Sequence, residues 1–320
     1  MLAQQLSAAT ANIEWTFAEW MAKHNKSYET LNEYKFRLNE FLRSEHEIIT
    51  HRYNTPDMTY TVGHNEFSDW TLEEKDRRAG GEMDYESMFD ATPAPVSDLQ
   101  NLSIKSSINW CGQGACNSIQ NQGHCGSCWA FAGTAVMEGR DFLKHGSLKK
   151  GSEQMCVDCA SDGSCDGGYQ SSCYNVSTKY HGLDSAGSYP YKGYDQSCRA
   201  AGGSKRMYAT TYHHVTKYSE KAMLTALQSG PISMYVNSKG YAFDYYDGGI
   251  MNDKNCGTKG NHFIAAVGYG TTSDGKKYWK VRNSWGKTWG ENGYGRVLRT
   301  GEDSYGICGV QQYCEYPDMY

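Results

Sequence analysis

The first 110 residues contain no cysteine, although the 320-residue chain has twelve: Cys111, Cys116, Cys125, Cys128, Cys156, Cys159, Cys165, Cys173, Cys198, Cys256, Cys308 and Cys314. That density suggests an oxidising compartment for the last two thirds, where disulfides persist, and sets the N-terminal third apart. No apolar stretch approaches the roughly 20 residues of a membrane-spanning helix, so no such span is expected. The net charge is a mild −5 with no basic stripe or cluster, which argues against nucleic acid as a partner. Residues 1–10 lack a basic n-region and an apolar core, so no signal peptide is read there. What remains is a soluble globular chain long enough for two domains, or for one domain with an appendage.

The most informative stretch is Gln122-Gly-His-Cys125-Gly-Ser-Cys128-Trp-Ala-Phe131. Apolar residues follow Cys128 at spacings of three and four (Trp129, Ala132, Ala135, Val136, Phe142, Leu143), predicting a buried helix with Cys128 in its first turn. The peptide dipoles at a helix N-terminus lower a thiol's pKa and favour the nucleophilic thiolate. Alternatives stand beside this reading. Cys125 and Cys128 form a C-x-x-C, as do Cys156 and Cys159, so a redox dithiol, a four-cysteine zinc site and half of a structural disulfide all fit the same residues.

Helical periodicity runs from Trp15 to Tyr53, with one short apolar face from Trp15, Phe17 and Trp20 and a second from Leu31, Tyr34, Leu38, Phe41 and Ile48. Glu33 and Arg37 are spaced for an i,i+4 pair. Residues 82–107 lose periodicity around Pro93 and Pro95 and suggest an extended, protease-exposed linker. Glycine-rich turns surround Gly167 and Gly168. From about Thr211 strands dominate: Phe263–Val267 is an apolar run, residues 277–282 partly alternate, and residues 293–300 follow a turn. A helix-rich half before a strand-rich half predicts an α+β fold, with Cys128 and His262 on opposite walls of a cleft.

The Cys128 segment resembles the active-site signature of papain and the lysosomal cathepsins, in which a His and an Asn follow roughly 130–150 residues later. His262, in Asn261-His-Phe-Ile-Ala-Ala-Val-Gly, and Asn283, in Asn-Ser-Trp285-Gly, stand near that spacing. Upstream, Glu33-x3-Arg37-x3-Phe41-x6-Ile48 and Gly63-His-Asn65-Glu-Phe67-Ser-Asp69 resemble the two motifs of cathepsin L-type propeptides, with Ser44 and Arg52 where the first motif usually has Asn. The resemblance implies a papain-like two-domain fold at residues 104–320, with a helical left half (104–212) and a β-barrel right half (213–320). Before it would come an inhibitory propeptide at residues 1–103, with a helical part at 12–80 and a linker at 82–103 that crosses the cleft in reverse. The mature chain would begin between Pro95 and Ser107.

By the same resemblance Cys128 is the nucleophile, His262 the proton carrier and Asn283 its orienting partner. Gln122 joins the Cys128 N–H as an oxyanion donor, and Trp285 shields the His–Asn contact. Substrate would meet Gly126, Ser127, Gly167, Gly168, Tyr169, Gln170, Tyr235, Gly260, Asn261 and Tyr313. Two tyrosines should fill the S2 pocket, Gly260 should open one wall, and the missing acid at its base leaves strong preference for arginine there unsupported. The resemblance also implies bridges Cys125–Cys165, Cys159–Cys198 and Cys256–Cys308. That leaves five cysteines besides Cys128, an odd number. No cofactor or metal is expected. Peptides and proteins are the expected substrates, the propeptide and cystatin-type proteins the expected inhibitors, and a monomer the expected state. A lysosome- or vacuole-like compartment, or secretion, would make the sequons at Asn101 and Asn175 glycan sites. An exopeptidase and a non-catalytic storage or decoy protein of the same fold are the alternatives.

Overall fold

The computed structural model describes residues 2–80, 103–200 and 207–320. Asn101 and most of the expected linker lie outside the described residues.

The N-terminal segment contains helices α1 (Leu2–Lys23) and α2 (Leu31–Asn54), strand β1 (Tyr60–Val62) and helix α3 (Leu72–Arg78). Thr30 caps α2 by accepting from the Glu33 N–H, and Thr71 and Glu74 form a reciprocal capping box at α3, so each helix begins where a side chain takes up an orphan donor. Phe17, Trp20 and Phe41 pack into an aromatic cluster with ring centroids 5.1–5.6 Å apart. Trp15 is 67% exposed, contrary to the expected apolar face, because residues two apart on a helix point in different directions. Leu31, in the first turn of α2, is also exposed. Arg37 does not turn to Glu33. It forms a two-pronged pair with Glu74 of α3 (2.7 and 2.9 Å), a geometry that fixes α3 against α2 better than an exposed i,i+4 pair could. Ser44 donates to the Ser68 carbonyl and accepts from Tyr245 Oη, so the hydroxyl bridges the N-terminal segment to the rest of the chain.

The remainder opens with β2 (Ile108–Asn109) and the long helix α4 (Cys128–His145), followed by α5 (Glu153–Cys159) and α6 (Gln170–Lys179). The strand-rich half carries β3 (Ala209–His214), α7 (Glu220–Leu227), β4 (Ile232–Val236), the single turn α8 (Tyr241–Asp244), β5 (Tyr246–Met251), β6 (His262–Thr271), β7 (Lys277–Arg282), β8 (Tyr294–Leu298) and β9 (Tyr313–Met319). Among the described residues nine strands share one sheet in the order β1-β5-β8-β7-β6-β4-β9-β3, with β2 on β6. Strand β1 thus extends the sheet at the β5 edge. Gly249 makes this possible: its φ is +89°, and a Cβ there would stand 2.6 Å from the Tyr60 Cα.

Five disulfides tie the C-terminal two thirds: Cys111–Cys116, Cys125–Cys165, Cys156–Cys173, Cys159–Cys198 and Cys256–Cys308. Cys128 and Cys314 are free and buried. Cys125, Cys156 and Cys159 are therefore each bridged to a cysteine outside their C-x-x-C, which leaves neither motif as a dithiol and no four-thiolate set. The small Cys111–Cys116 loop packs near Phe142, in the last turns of α4 and about 20 Å along the helix axis from Cys128, too far to close a cleft at that residue. Asn175 is exposed on α6.

Phe41 is 1% exposed at the centre of the aromatic cluster. Phe41→Ala should cost the N-terminal segment about 3–5 kcal/mol. Calorimetry of the full chain should then show an early unfolding shoulder, and an unchanged melting profile would contradict this account.

Candidate active site

Cys128 is the first residue of α4, and what fixes it precedes it. The Cys125–Cys165 bridge and the Gly126 N–H to Cys165 carbonyl bond (2.7 Å) hold the approach to the helix. Gly126 has no room for a side chain, since a Cβ would lie 2.6 Å from the Cys165 carbonyl oxygen and 2.7 Å from that of Arg77. Ser127 is fully buried and hydrogen-bonds Tyr191 Oη, which donates in turn to the Gln122 carbonyl. Its hydroxyl orders this loop, and Tyr191, absent from the sequence reading, carried no local signal.

On the facing wall His262 opens β6. Asn283 Oδ1 accepts from the Ser284 N–H (2.8 Å), which identifies it as the amide oxygen, and so it also accepts from His262 Nε2 at 2.8 Å. That bond assigns the proton to Nε2 and leaves Nδ1 basic; Nδ1 is buried without a hydrogen-bond partner. Trp285, also fully buried, lies over the imidazole with centroids 4.5 Å apart. Gln122 joins the walls. Its backbone N–H donates to the Ser284 carbonyl, and Ser284 Oγ donates to Gln122 Oε1 at 2.7 Å, which turns Nε2 inward. Ser284 was legible only as a member of the Asn-Ser-Trp-Gly motif.

The N-terminal segment fills the space between the walls. Gln122 Nε2 donates to the Arg78 carbonyl (2.7 Å), and Cys128 Sγ donates to the Ala79 carbonyl (3.4 Å). Gly80, at φ +81°, packs between Gly126, the sulfur and Gly167. The Arg78 guanidinium stacks 3.5 Å from the Trp285 centroid, and its Nη2 bonds Asp244 Oδ1 at 2.8 Å. Lys75 Nζ meets Asp244 Oδ2 at 2.6 Å. Sequence reasoning passed over Lys75, Arg78 and Asp244 because isolated charges usually mark a solvated surface.

This covering decides the protonation states. Burial pushes the Cys128 thiol up to about 12, outweighing the backbone N–H groups of Phe263, Trp129 and Cys128 itself. Burial likewise drives His262 down to about 3, helped by the charge of Arg78 and opposed by the Asn283 bond. The lowered thiol pKa expected at a helix N-terminus is therefore absent from the covered site. Desolvation penalises both charged forms more than the dipoles favour the thiolate.

The expected substrate contacts divide. Gly126 and Gly167 touch Gly80. Gly168 instead seats against Trp129, whose Cε2 would lie 2.5 Å from an added Cβ. Gly260 does not open a wall: the Tyr235 ring occupies that space, 2.3 Å from where a Cβ would stand. Tyr235 and Tyr313 are buried, 3% and 7% exposed, with ring centroids 6.4 Å apart. Tyr169 stands at the N-terminus of α6, next to the fully buried Gln170. Asn261 is held by the Ser238 N–H and hydroxyl.

Comparison with known proteins places these observations in a family context. The family described as papain family cysteine protease matches residues 104–318, and the cathepsin propeptide inhibitor domain (I29) matches residues 17–74. Ananain from Ananas comosus is 36% identical over 303 residues, 95% of this chain and 87% of that protein. The recombinant stem bromelain precursor superposes with a TM-score of 0.87 at 35% identity, covering 96% of this chain and 98% of that one. Digestive procathepsin L 3 from Tenebrio molitor larval midgut gives 0.83 at 28% identity, covering 95% and 98%.

A protonated, covered thiol should alkylate slowly. Iodoacetamide at pH 7 should modify Cys128 at least about 100-fold more slowly in the full chain than after proteolytic release of the N-terminal segment. Equal rates by mass spectrometry would show that residues 78–80 do not protect the sulfur.

Proposed function

The chain belongs to the papain family of cysteine peptidases and carries a cathepsin-type propeptide inhibitor domain, and we propose that it is the precursor of an endopeptidase acting through an acyl-enzyme on Cys128. Residues 1–103 are the propeptide in this reading and 104–320 the mature enzyme. One observation carries it: the inward-turned amide of Gln122 already holds a peptide carbonyl, that of Arg78, beside the thiol.

When the propeptide leaves, water enters and the penalty on charge falls. His262 Nδ1 then takes the thiol proton to give a thiolate–imidazolium pair, while Asn283 keeps Nε2 oriented. The sulfur attacks the substrate carbonyl carbon, and Gln122 Nε2 and the Cys128 N–H receive the oxyanion, a donor pair whose halves are each worth about 3 kcal/mol. The imidazolium protonates the amine as the C–N bond breaks. Water, deprotonated by His262, then cleaves the thioester. The propeptide escapes this fate because the sulfur faces the Ala79 carbonyl oxygen as a neutral hydrogen-bond donor instead of its carbon as a thiolate.

The reading is tested by incubating the full chain at about pH 4.5 with mild reductant and an epoxide selective for papain-like thiols, with Cys128→Ala as control. A single adduct on Cys128 that accumulates as the N-terminal segment is lost is the expected result. No adduct after complete removal of that segment would overturn it. Five disulfides support an oxidising destination, a vacuole- or lysosome-like space or secretion.

Acid sensitivity has two layers. His124 stacks on Trp70 of the propeptide with centroids 4.1 Å apart. Burial lowers its pKa, and Lys26, Arg37 and Arg77 add to this against the opposing Glu74. His24, beside Trp20, is lowered to about 4, chiefly by burial, and His64, stacked on Phe41, is lowered by burial as well. His124 binds a proton more readily once the propeptide leaves, and His24 and His64, which pack inside the propeptide itself, do so once that segment unfolds. The docking and the folding they respectively support are therefore complete above about pH 6.5 and weaken as pH falls below it. Asp244 and Glu74 act later. Burial raises each, but Lys75 with Arg78, and Arg37, outweigh it and hold them below the ordinary carboxylate range, so their contribution is lost only at lower pH. His124→Phe, which keeps a ring on Trp70 but cannot charge, should shift the midpoint of propeptide loss to lower pH. An unchanged maturation profile between pH 4 and 7 would assign the acid response to other groups.

A further inference from the structure

We propose that Asp244 and Trp285 form a subsite for a basic side chain, arginine above all, on the leaving-group side of the cut bond. The inference rests on the peptidase reading of Cys128 and His262. His262 must hand its proton to the departing amine, so the groups beside its ring face the residues that follow the cut bond. Trp285, 4.5 Å from that ring, is one of them. Asp244 is the other, because a single guanidinium, that of Arg78, spans both: 3.5 Å from the indole centroid and 2.8 Å from Oδ1.

The pair belongs to the enzyme and does not leave with the propeptide. Asp244 ends α8, the turn anchored by the fully buried Phe243, whose ring packs 5.7 Å from Trp285 and 5.2 Å from Trp289 and whose carbonyl accepts from Trp289 Nε1. Both cations that meet the carboxylate, Lys75 and Arg78, belong to the propeptide. Its removal therefore leaves a carboxylate and an aromatic face side by side in the cleft, both without their cationic partners. A cavity of about 230 Å³, lined on the enzyme side by Ser238, Lys239, Tyr241, Asp244 and Asn261, already adjoins the site in the covered form. The Lys239 ammonium is directed to Asp76 of the propeptide (3.4 Å), and Lys75 and Arg78 are the cations paired with Asp244.

Arginine suits this pair better than lysine, because a planar guanidinium can stack on the indole while donating edgewise to the carboxylate; an ammonium makes the charge contact alone. The propeptide's own arginine is an imperfect occupant: its Nε and Nη1 are buried without a hydrogen-bond partner. A substrate running in the productive direction approaches the same face with the opposite backbone polarity and with solvent at hand for those two groups.

The test uses enzyme matured from the full chain and titrated with a papain-directed epoxide. Internally quenched peptides share one sequence before the cut bond and carry Arg, citrulline, Lys, Leu or Glu at the first or second position after it. At pH 6 the Arg peptide should exceed its neutral isostere, the citrulline peptide, by about tenfold in kcat/KM at one of the two positions. Lys should fall between them and Glu below all. In Asp244→Asn the Arg/citrulline ratio should drop to within about twofold, and in the native enzyme it should fade below about pH 4 as the freed carboxylate takes up its proton. Equal cleavage of Arg and citrulline peptides at both positions by native enzyme overturns the proposal, whether or not the variant folds, and so does a full Arg preference retained in Asp244→Asn. Titratable enzyme that cuts every peptide without preference sinks the subsite alone. A mature chain that takes no epoxide and cuts no peptide sinks the peptidase reading and this inference with it.

Discussion

One buried carboxylate organises the covered state. Asp244 receives two cations from the same short helix, Lys75 and Arg78, one on each oxygen. Withdrawing three charges from water is costly, and such a cluster is tolerable only when its members satisfy one another. The arrangement is consequently one of position. With α3 held at one end by the Arg37–Glu74 pair and at the other by Asp244, the next residues, Arg78 to Gly80, have nowhere to run but across Gln122, Cys128 and Gly126.

The chemical state of the site follows from that placement. Helix dipoles and backbone donors push the thiol towards ionisation, but they act over a sulfur that the neighbouring segment has sealed from water. Burial wins, and cysteine and histidine both sit neutral. In the proposed reading inhibition is thus electrostatic as well as steric, and an oriented imidazole, an inward amide and a shielding indole stand ready before the thiol can ionise.

Much of this was legible in the residues. The helix at Cys128 declared itself by period, the strands after Thr211 by their apolar runs, and His262 and Asn283 by their motifs. What stayed hidden depended on partners distant in sequence. Arg37 has a good local partner in Glu33 and takes a better one in Glu74; Gly260 suggests open space until Tyr235 is seen lying against it. Lys75, Arg78 and Asp244 each read as ordinary surface charge, since nothing in a local window reveals that helix and turn will meet across some 170 positions. The pairing of Cys111 with Cys116 and of Cys156 with Cys173 stayed open for a different reason: the partners are near in sequence, but an odd set of five cysteines does not by itself say which one is left over, and the structure leaves Cys314 as the odd thiol.

Strand β1 would leave the molecule with a debt at the proposed maturation. While it lies on β5 it occupies the hydrogen-bonding row of residues 246–249, admitted by the missing side chain of Gly249. In the proposed maturation, cleavage elsewhere would remove that strand, and the finished enzyme would emerge with a bare sheet margin whose amides and carbonyls must turn to water. Exposed margins of this kind recruit other strands. This one is short and glycine-broken, with an aspartate, Asp247, beside the glycines. Those are features that would keep newly uncovered molecules from pairing with each other if many were released together.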